Sequence, residues 1–379
     1  MQNEAGGCPE PLGPGPTVAD LTEAELIARI RQRLPPPPDW IVVGIGDDAA
    51  VVEPERNRLE VLSVDALVEG IHFDRAFTPP DAIGHRALAV NLSDLAAMGA
   101  APRLALLSFA LPPALACQDF DALVLGLAAL AGRHGVHVAG GNLTRSPGPL
   151  MVDVTVLGTV KRRQALTRGG ARPGDELYVT GSIGAAAAGL QMLRDATSFT
   201  AGITETNGGH RSKRSPCPSL IAVSPAVEYC VRRYLYPEPR VRLGLLLARN
   251  RAASACMDLS DGLADGVRQI AEASGVGAVI DADALPIDTA ARSWFNAQGG
   301  DTVDAVDIVS RAVRGGDDYE LLFAVRPRLR SRLAAAGRHG EVPLTRIGVC
   351  TESRAVVLRR TAGGAVIEDP LPPGYSHFR

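Results

Sequence analysis

Short β-branched runs alternate with long apolar helical stretches along most of this chain, and that alternation leaves few architectures open. Leu59–Asp65, His137–Ala139 and Leu150–Val160 carry strand signals, whereas Pro80–Met98 and about Gln118–His134 carry helix signals. Strand beside helix along the sequence predicts an α/β class, with helices packed on sheets. Ahead of this region, Thr22 and Glu25 stand at capping-box spacing and open an amphipathic helix Glu23–Arg33, which the prolines Pro35–Pro38 stop. A chain of 379 residues exceeds one comfortable core, so two domains are expected. Ala165-Leu-Thr-Arg-Gly-Gly-Ala-Arg-Pro-Gly174 links them. The second opens with a strand Glu176–Thr180, a glycine turn and a helix Ala185–Arg194. Residues 1–20 are expected to be a loose tail, 21–163 the first domain and 164–379 the second. Residues 196–219, aperiodic and rich in Gly, Ser, Thr, Lys and Arg, are expected to be a mobile insertion.

Composition removes several function classes. The net charge of −3 comes without a basic block, so no nucleic-acid partner is expected. No apolar run approaches the ~20 residues of a membrane span, and no secretory signal opens the chain. Six cysteines without a C-x-x-C pair predict neither a zinc site nor a disulfide framework, and point to the cytoplasm. Only two residues, Lys161 and Lys213, are lysines. Phosphate chemistry in this chain must therefore rest on arginine, backbone N–H groups or metal.

Aspartates recur beside glycine at the ends of apolar segments: Asp47 and Asp48, Asp65, Asp94, Asp258 and Asp261, Asp317 and Asp318. An Asp after Gly is ordinarily a turn residue, and Asp261 can equally cap the helix that begins near Gly262. Context narrows the choice for some. Period-two alternation puts Ser63 and Asp65 on one side of their strand, at the C-terminal end where α/β ligands commonly bind. Asp94 sits on a helix so apolar that a lone carboxylate there would be costly, and a metal ion is the economical partner. Clustered carboxylates repel each other and any phosphate; Mg²⁺ reverses that by bridging Asp and phosphate oxygens. The Gly181–Gly184 turn opens a helix and could meet an anion, but close packing accounts for its glycines equally well. His134 and His137 lack partners at metal-site spacing and are read as structural.

The motifs GIGDDAAVV, SVDALVEGIHF, ALAVNLSDLAAMGA, GGNLTR, ALTRGGARPGDELYVTG, DLSDGLADG, GGDDYELLF and GYSHF occur in an order that resembles the thiamine-monophosphate kinases, from about Leu21 to Arg379. The wider superfamily contains aminoimidazole-ribonucleotide synthetase. The resemblance implies a two-domain α/β (α+β) fold of that type: an N-terminal half-barrel domain that dimerises, plus a C-terminal α/β domain. It implies ATP-dependent phosphorylation of thiamine monophosphate to thiamine diphosphate by a homodimer using several Mg²⁺ ions. By the same match, Asp48, Ser63, Asp65, Asp94, Asp258 and Asp261 would ligate metal, with Asp47 beside the first of them. Gly141, Asn142, Arg168 and Ser260 would contact ATP; His72, Asp317 and Tyr375 would contact the substrate. Three positions depart from the family pattern: Asn142 replaces an Asp, Val64 a Thr and Asp317 a Glu. The first two weaken one metal site, so altered Mg²⁺ affinity is expected rather than inactivity. The alternatives are another phosphorylated acceptor on the same fold, or a nucleotide-binding homologue without turnover.

Overall fold

The computed structural model describes residues 15–206, 224–298 and 305–374. The first 14 residues, residues 207–219 of the expected insertion, and Tyr375 lie outside the described residues. The expected tail is docked at its end: the Val18 N–H donates to the Leu115 carbonyl at 2.9 Å and the Cys117 N–H to that of Pro16 at 2.9 Å.

The first domain begins with α1 (Glu23–Arg33), capped as its sequence predicts: the Thr22 hydroxyl accepts from the Glu25 N–H at 3.3 Å, and Glu25 accepts from the Thr22 N–H. A small ribbon of β1 (Ile41–Val43) and β2 (Val51–Val52) follows. Then come β3 (Arg58–Val68), α2 (Pro80–Ala97), β4 (Ala101–Leu111), α3 (Cys117–His134), β5 (His137–Arg145) and β6 (Met151–Lys161). The four long strands form one sheet in the order β3-β6-β4-β5, antiparallel except for the parallel pair β4/β5. Alternation decides its two faces. Leu107, Phe109, Val152, Val154 and Val156 point into the core with α2 and α3. The opposite face is open, and Leu62 and Val64 on it are 65% and 57% exposed. The half-barrel expected from the family is thus an open four-stranded sheet in a single chain.

One local expectation fails. The GGN segment is not a turn after a strand ending at Ala139 but the middle of β5. Glycine hides the strand because its low β propensity reads as punctuation. Its cause is close approach: a Cβ on Gly141 would lie 1.9 Å from the Leu107 carbonyl oxygen of β4.

The second domain contains β7 (Glu176–Thr180), α4 (Ala185–Thr206), α5 (Pro225–Leu235), α6 (Val241–Asn250), β8 (Ala255–Asp258), α7 (Leu263–Ser274), β9 (Gly277–Asp281), α8 (Thr289–Gln298), α9 (Ala305–Arg314), β10 (Leu321–Val325), α10 (Arg330–Gly337), β11 (Leu344–Thr351), β12 (Val356–Ala362) and β13 (Ala365–Pro370). Helix α4 runs on to Thr206, over the first part of the segment read as an aperiodic insertion. Seven strands form one sheet in the order β13-β12-β9-β11-β7-β10-β8, with only β12/β9 parallel. One apolar core joins α2 and the first sheet to α6, β8, β10 and α10; a second fills the other side of the seven-stranded sheet. Helix α2 is buried on almost every side, with contacts to α3, α6, β6 and β8. No helix among the described residues is long and apolar enough to cross a membrane.

Candidate active site

A cleft of about 970 Å³ lies where the end of β3, one face of α2, α4, and the loops after β8 and before β10 meet. Three carboxylates reach it from three elements. Asp65 comes from β3, on the same strand face as Ser63. Asp94 comes from α2, where it accepts a short hydrogen bond from the Ser63 hydroxyl and shares another with Asp65. Asp258 ends β8, is 4% exposed, and accepts from the Ser93 hydroxyl at 2.7 Å. The neighbouring residues Ser93 and Asp94 thereby tie α2 to the second domain and to β3 respectively.

Burial and the charge of Asp94 act on Asp65 and Asp258 in the same direction. Loss of water, followed by the charge of Asp94, pushes Asp65 up to about 7; Asp153 and Asp261 add to it. Asp258 is pushed up to about 7, chiefly by burial and then by Asp94. Asp94 is raised by burial, against the pull of Ser63 and of the Arg168 charge. Near neutral pH such a group needs protons or a cation. No three His, Cys, Asp or Glu side chains among the described residues converge on one point in a metal-binding arrangement. The donor set fits Mg²⁺ nonetheless, because that ion is typically held by one or two carboxylates, with waters and phosphate oxygens completing its shell.

The loop after β8 brings Ser260 and Asp261 to the cleft, and the loop before β10 brings Asp317. The two loops interlock through glycine. A Cβ on Gly262, whose φ is +92°, would sit 2.7 Å from the Gly315 carbonyl, and one on Gly316 would sit 2.5 Å from that of Ser260. The Asp317 N–H donates to the Ser260 carbonyl at 2.8 Å. Arg168 lines the rim, exposed, and donates to Gln269 at 2.6 Å. His72, in the turn after β3, also lines the cleft; its Nδ1 accepts from the Val68 N–H at 3.0 Å.

Of the residues singled out in the sequence, Asp65, Asp94, Asp258, Asp261, Arg168, Ser260, His72 and Asp317 share this cleft. Ser63 joins through Asp94 and lines an adjoining cavity of about 430 Å³ with Asp94, Arg168 and Asp258. Asp48 does not line the cleft; it lies between β1 and β2, where its N–H donates to Asp47 at 2.9 Å. Gly141 and Asn142 do not line it either, because β5 is the far edge of the first sheet from β3. Asn142 pairs in register with Ser108, and Ser108 with Asp153. Alternation puts all three on the open face with Val64, away from Asp65.

One side chain of the site, Arg86, was passed over in the sequence, and Asp318 braces the site from outside the cleft. Arg86 is buried against Asp317, and an arginine directly before the apolar ALAV run of α2 was the available signal. Asp318, beside Asp317, takes the place an anion would occupy at the start of α4: its carboxylate accepts from the Gly184 and Ala186 N–H groups at 2.7 and 3.3 Å.

The chain matches the AIR synthase related proteins, whose N-terminal domain model covers residues 46–160 and whose C-terminal domain model covers residues 172–360. The thiamine-monophosphate kinase of Salmonella typhimurium is 36% identical over 94% of this chain and 98% of its own length. The crystal structure of the thiamine-monophosphate kinase from Stenotrophomonas maltophilia K279a is 38% identical, with a TM-score of 0.71 over 89% of this chain and 96% of that one. AaThiL, solved in complex with AMPPCP and TMP, is 28% identical, with a TM-score of 0.67 over 95% of this chain and 98% of that one. The chain belongs to the thiamine-monophosphate kinase family.

Proposed function

We propose that this chain transfers the γ-phosphoryl group of ATP to the phosphate of thiamine monophosphate, yielding thiamine diphosphate. The observation that carries the proposal is the convergence of Asp65, Asp94 and Asp258 on one interdomain cleft, in a fold that in AaThiL holds AMPPCP and TMP together.

The acceptor oxygen is already an anion, so no strong general base is needed; the barrier lies in bringing two anions together and in line. Bound Mg²⁺ supplies the charge neutralisation that such an approach requires. Asp65, Asp94, Asp258 and Asp261 would hold several such ions between them, one or two carboxylates to each, with Ser63 hydrogen-bonded to Asp94. Arg168 carries a permanent positive charge at the rim, where it can stabilise charge on the transferring group. Ser260 would contact ATP, and His72 and Asp317 the acceptor. Asp48, Gly141 and Asn142, which stand off the cleft, are not needed for this reading. The exposed apolar face of the first sheet, with Leu62, Val64, Leu106 and Met151, supports a homodimer formed by a second copy of the same face.

The test is an acceptor assay: purified protein, ATP, a Mg²⁺ series, and thiamine monophosphate beside other phosphorylated small molecules. Thiamine diphosphate that forms only with Mg²⁺ present is the expected result. ADP release driven solely by a different acceptor overturns the assignment.

A further inference from the structure

Among the described residues lining the cleft, Arg86 is the one buried arginine, 2% exposed; Arg168, Arg194 and Arg314 are exposed. It rises from α2 in the first domain and reaches into the second. Its Nη2 donates to Asp317 Oδ1 at 2.9 Å and its Nη1 to the Tyr234 carbonyl, while the guanidinium lies 4.4 Å from the centre of the Tyr234 ring. A cation buried this deeply needs a partner, and a simple tether between domains would satisfy that need.

The state of Asp317 goes beyond a tether. Its backbone is left-handed, with φ of 67°, a conformation that Asp tolerates better than most side chains. Its N–H is fixed on Ser260, and its Oδ1 takes both Arg86 and, at 3.4 Å, the Tyr319 hydroxyl. Its Oδ2 takes no hydrogen bond from a described residue, and the side chain stays 30% exposed. One oxygen is thus saturated and the other is left over. A carboxylate oxygen repels phosphate and accepts N–H donors, so it suits the heterocyclic part of an acceptor rather than its phosphate.

We propose that Arg86 is a positioning residue for acceptor recognition: by occupying Oδ1 it fixes the Asp317 carboxylate so that Oδ2 meets an N–H donor on the acceptor's heterocycle. The inference rests on the kinase reading above and deepens it. Arg86 touches neither reacting phosphate; it acts through Asp317.

Steady-state kinetics of Arg86→Met, Arg86→Lys, Asp317→Asn and the double variant Arg86→Met/Asp317→Asn, with thermal melts of each, test it. Arg86→Met should raise KM for thiamine monophosphate roughly 10- to 100-fold while KM for ATP stays within about twofold. Arg86→Lys should recover much of that loss, and the double variant should be no worse than the worse single one. If Arg86→Met does not fold, Arg86→Lys and Asp317→Asn decide: an acceptor KM left unmoved in Asp317→Asn, or raised as far in Arg86→Lys as in Asp317→Asn, overturns the proposal. Equal rises in both KM values, or additive effects in the double variant, also overturn it. Wild-type protein that never phosphorylates thiamine monophosphate sinks the kinase reading and this inference together. Wild-type activity with an unmoved acceptor KM in Arg86→Met sinks this inference alone.

Discussion

Asp65, Asp94 and Asp258 each lose water when their elements pack, and the charge of Asp94 raises the cost of ionising the other two. Their grouping therefore works against stability and is kept for binding. Asp65→Asn removes one of the repelling charges at nearly constant volume. In the presence of a chelator this variant should melt at or above wild type, while kcat/KM falls roughly 10²- to 10³-fold, as for loss of one preorganised electrostatic group. Melting in EDTA beside the kinase assay checks both halves; a lower melting point with activity retained would contradict the role given to Asp65. These acids were legible in the sequence because each stands in a glycine-flanked apolar setting. Arg86 was not, since a single arginine on a helix is ordinarily a solvated one and its partner lies 231 positions away. Val64 could be placed opposite Asp65 by alternation alone. Asn142 could not, because the glycines before it concealed the strand that carries it.

At the scale of elements, β3 shows two chemistries on one strand. Its inner face supplies Asp65 to the cleft and Ser63 to the adjoining cavity; its outer face leaves Leu62 and Val64 in water. Exposure of such side chains on an open sheet face is costly unless another surface covers them. Leu62→Glu, which leaves the cleft side of β3 untouched, should convert a dimer into monomers, as light scattering on a sizing column would show. A wild-type protein that is already monomeric at micromolar concentration would refute dimerisation through this face. Helices α1, α2 and α3 could be bounded from sequence because caps, prolines and a terminal Gly135 in the left-handed conformation mark their ends. The sheet orders could not. The pairing of β7 between β11 and β10 joins segments more than a hundred residues apart, and local pattern holds no record of such partners.

The whole molecule should respond to pH through groups it buries. Asp318 is pushed up to about 7 from an ordinary 3.8, chiefly by burial, although Arg233 and two backbone N–H groups pull it down. Between those values the folded chain keeps a proton that the unfolded chain has released. Its contribution to stability is therefore complete below the lower value and is lost as pH rises through the upper one. In metal-free protein, Asp65 and Asp258 act with the same sign. Melting temperature should fall from about pH 5 to about pH 8, and less steeply in Asp318→Asn. Parallel slopes for the two proteins would show that Asp318 does not titrate in this window.

Helix α2, wrapped by α3 and its own sheet on one side and by α6 and β8 on the other, also limits how this architecture can be rearranged. A recombination point in the 163–174 connection looks natural on paper, yet each fragment would be severed from surface it uses as its own interior. Swapping halves between relatives therefore requires the contacts of α2 with α6 and β8 to be exchanged as one unit, whatever the linker permits.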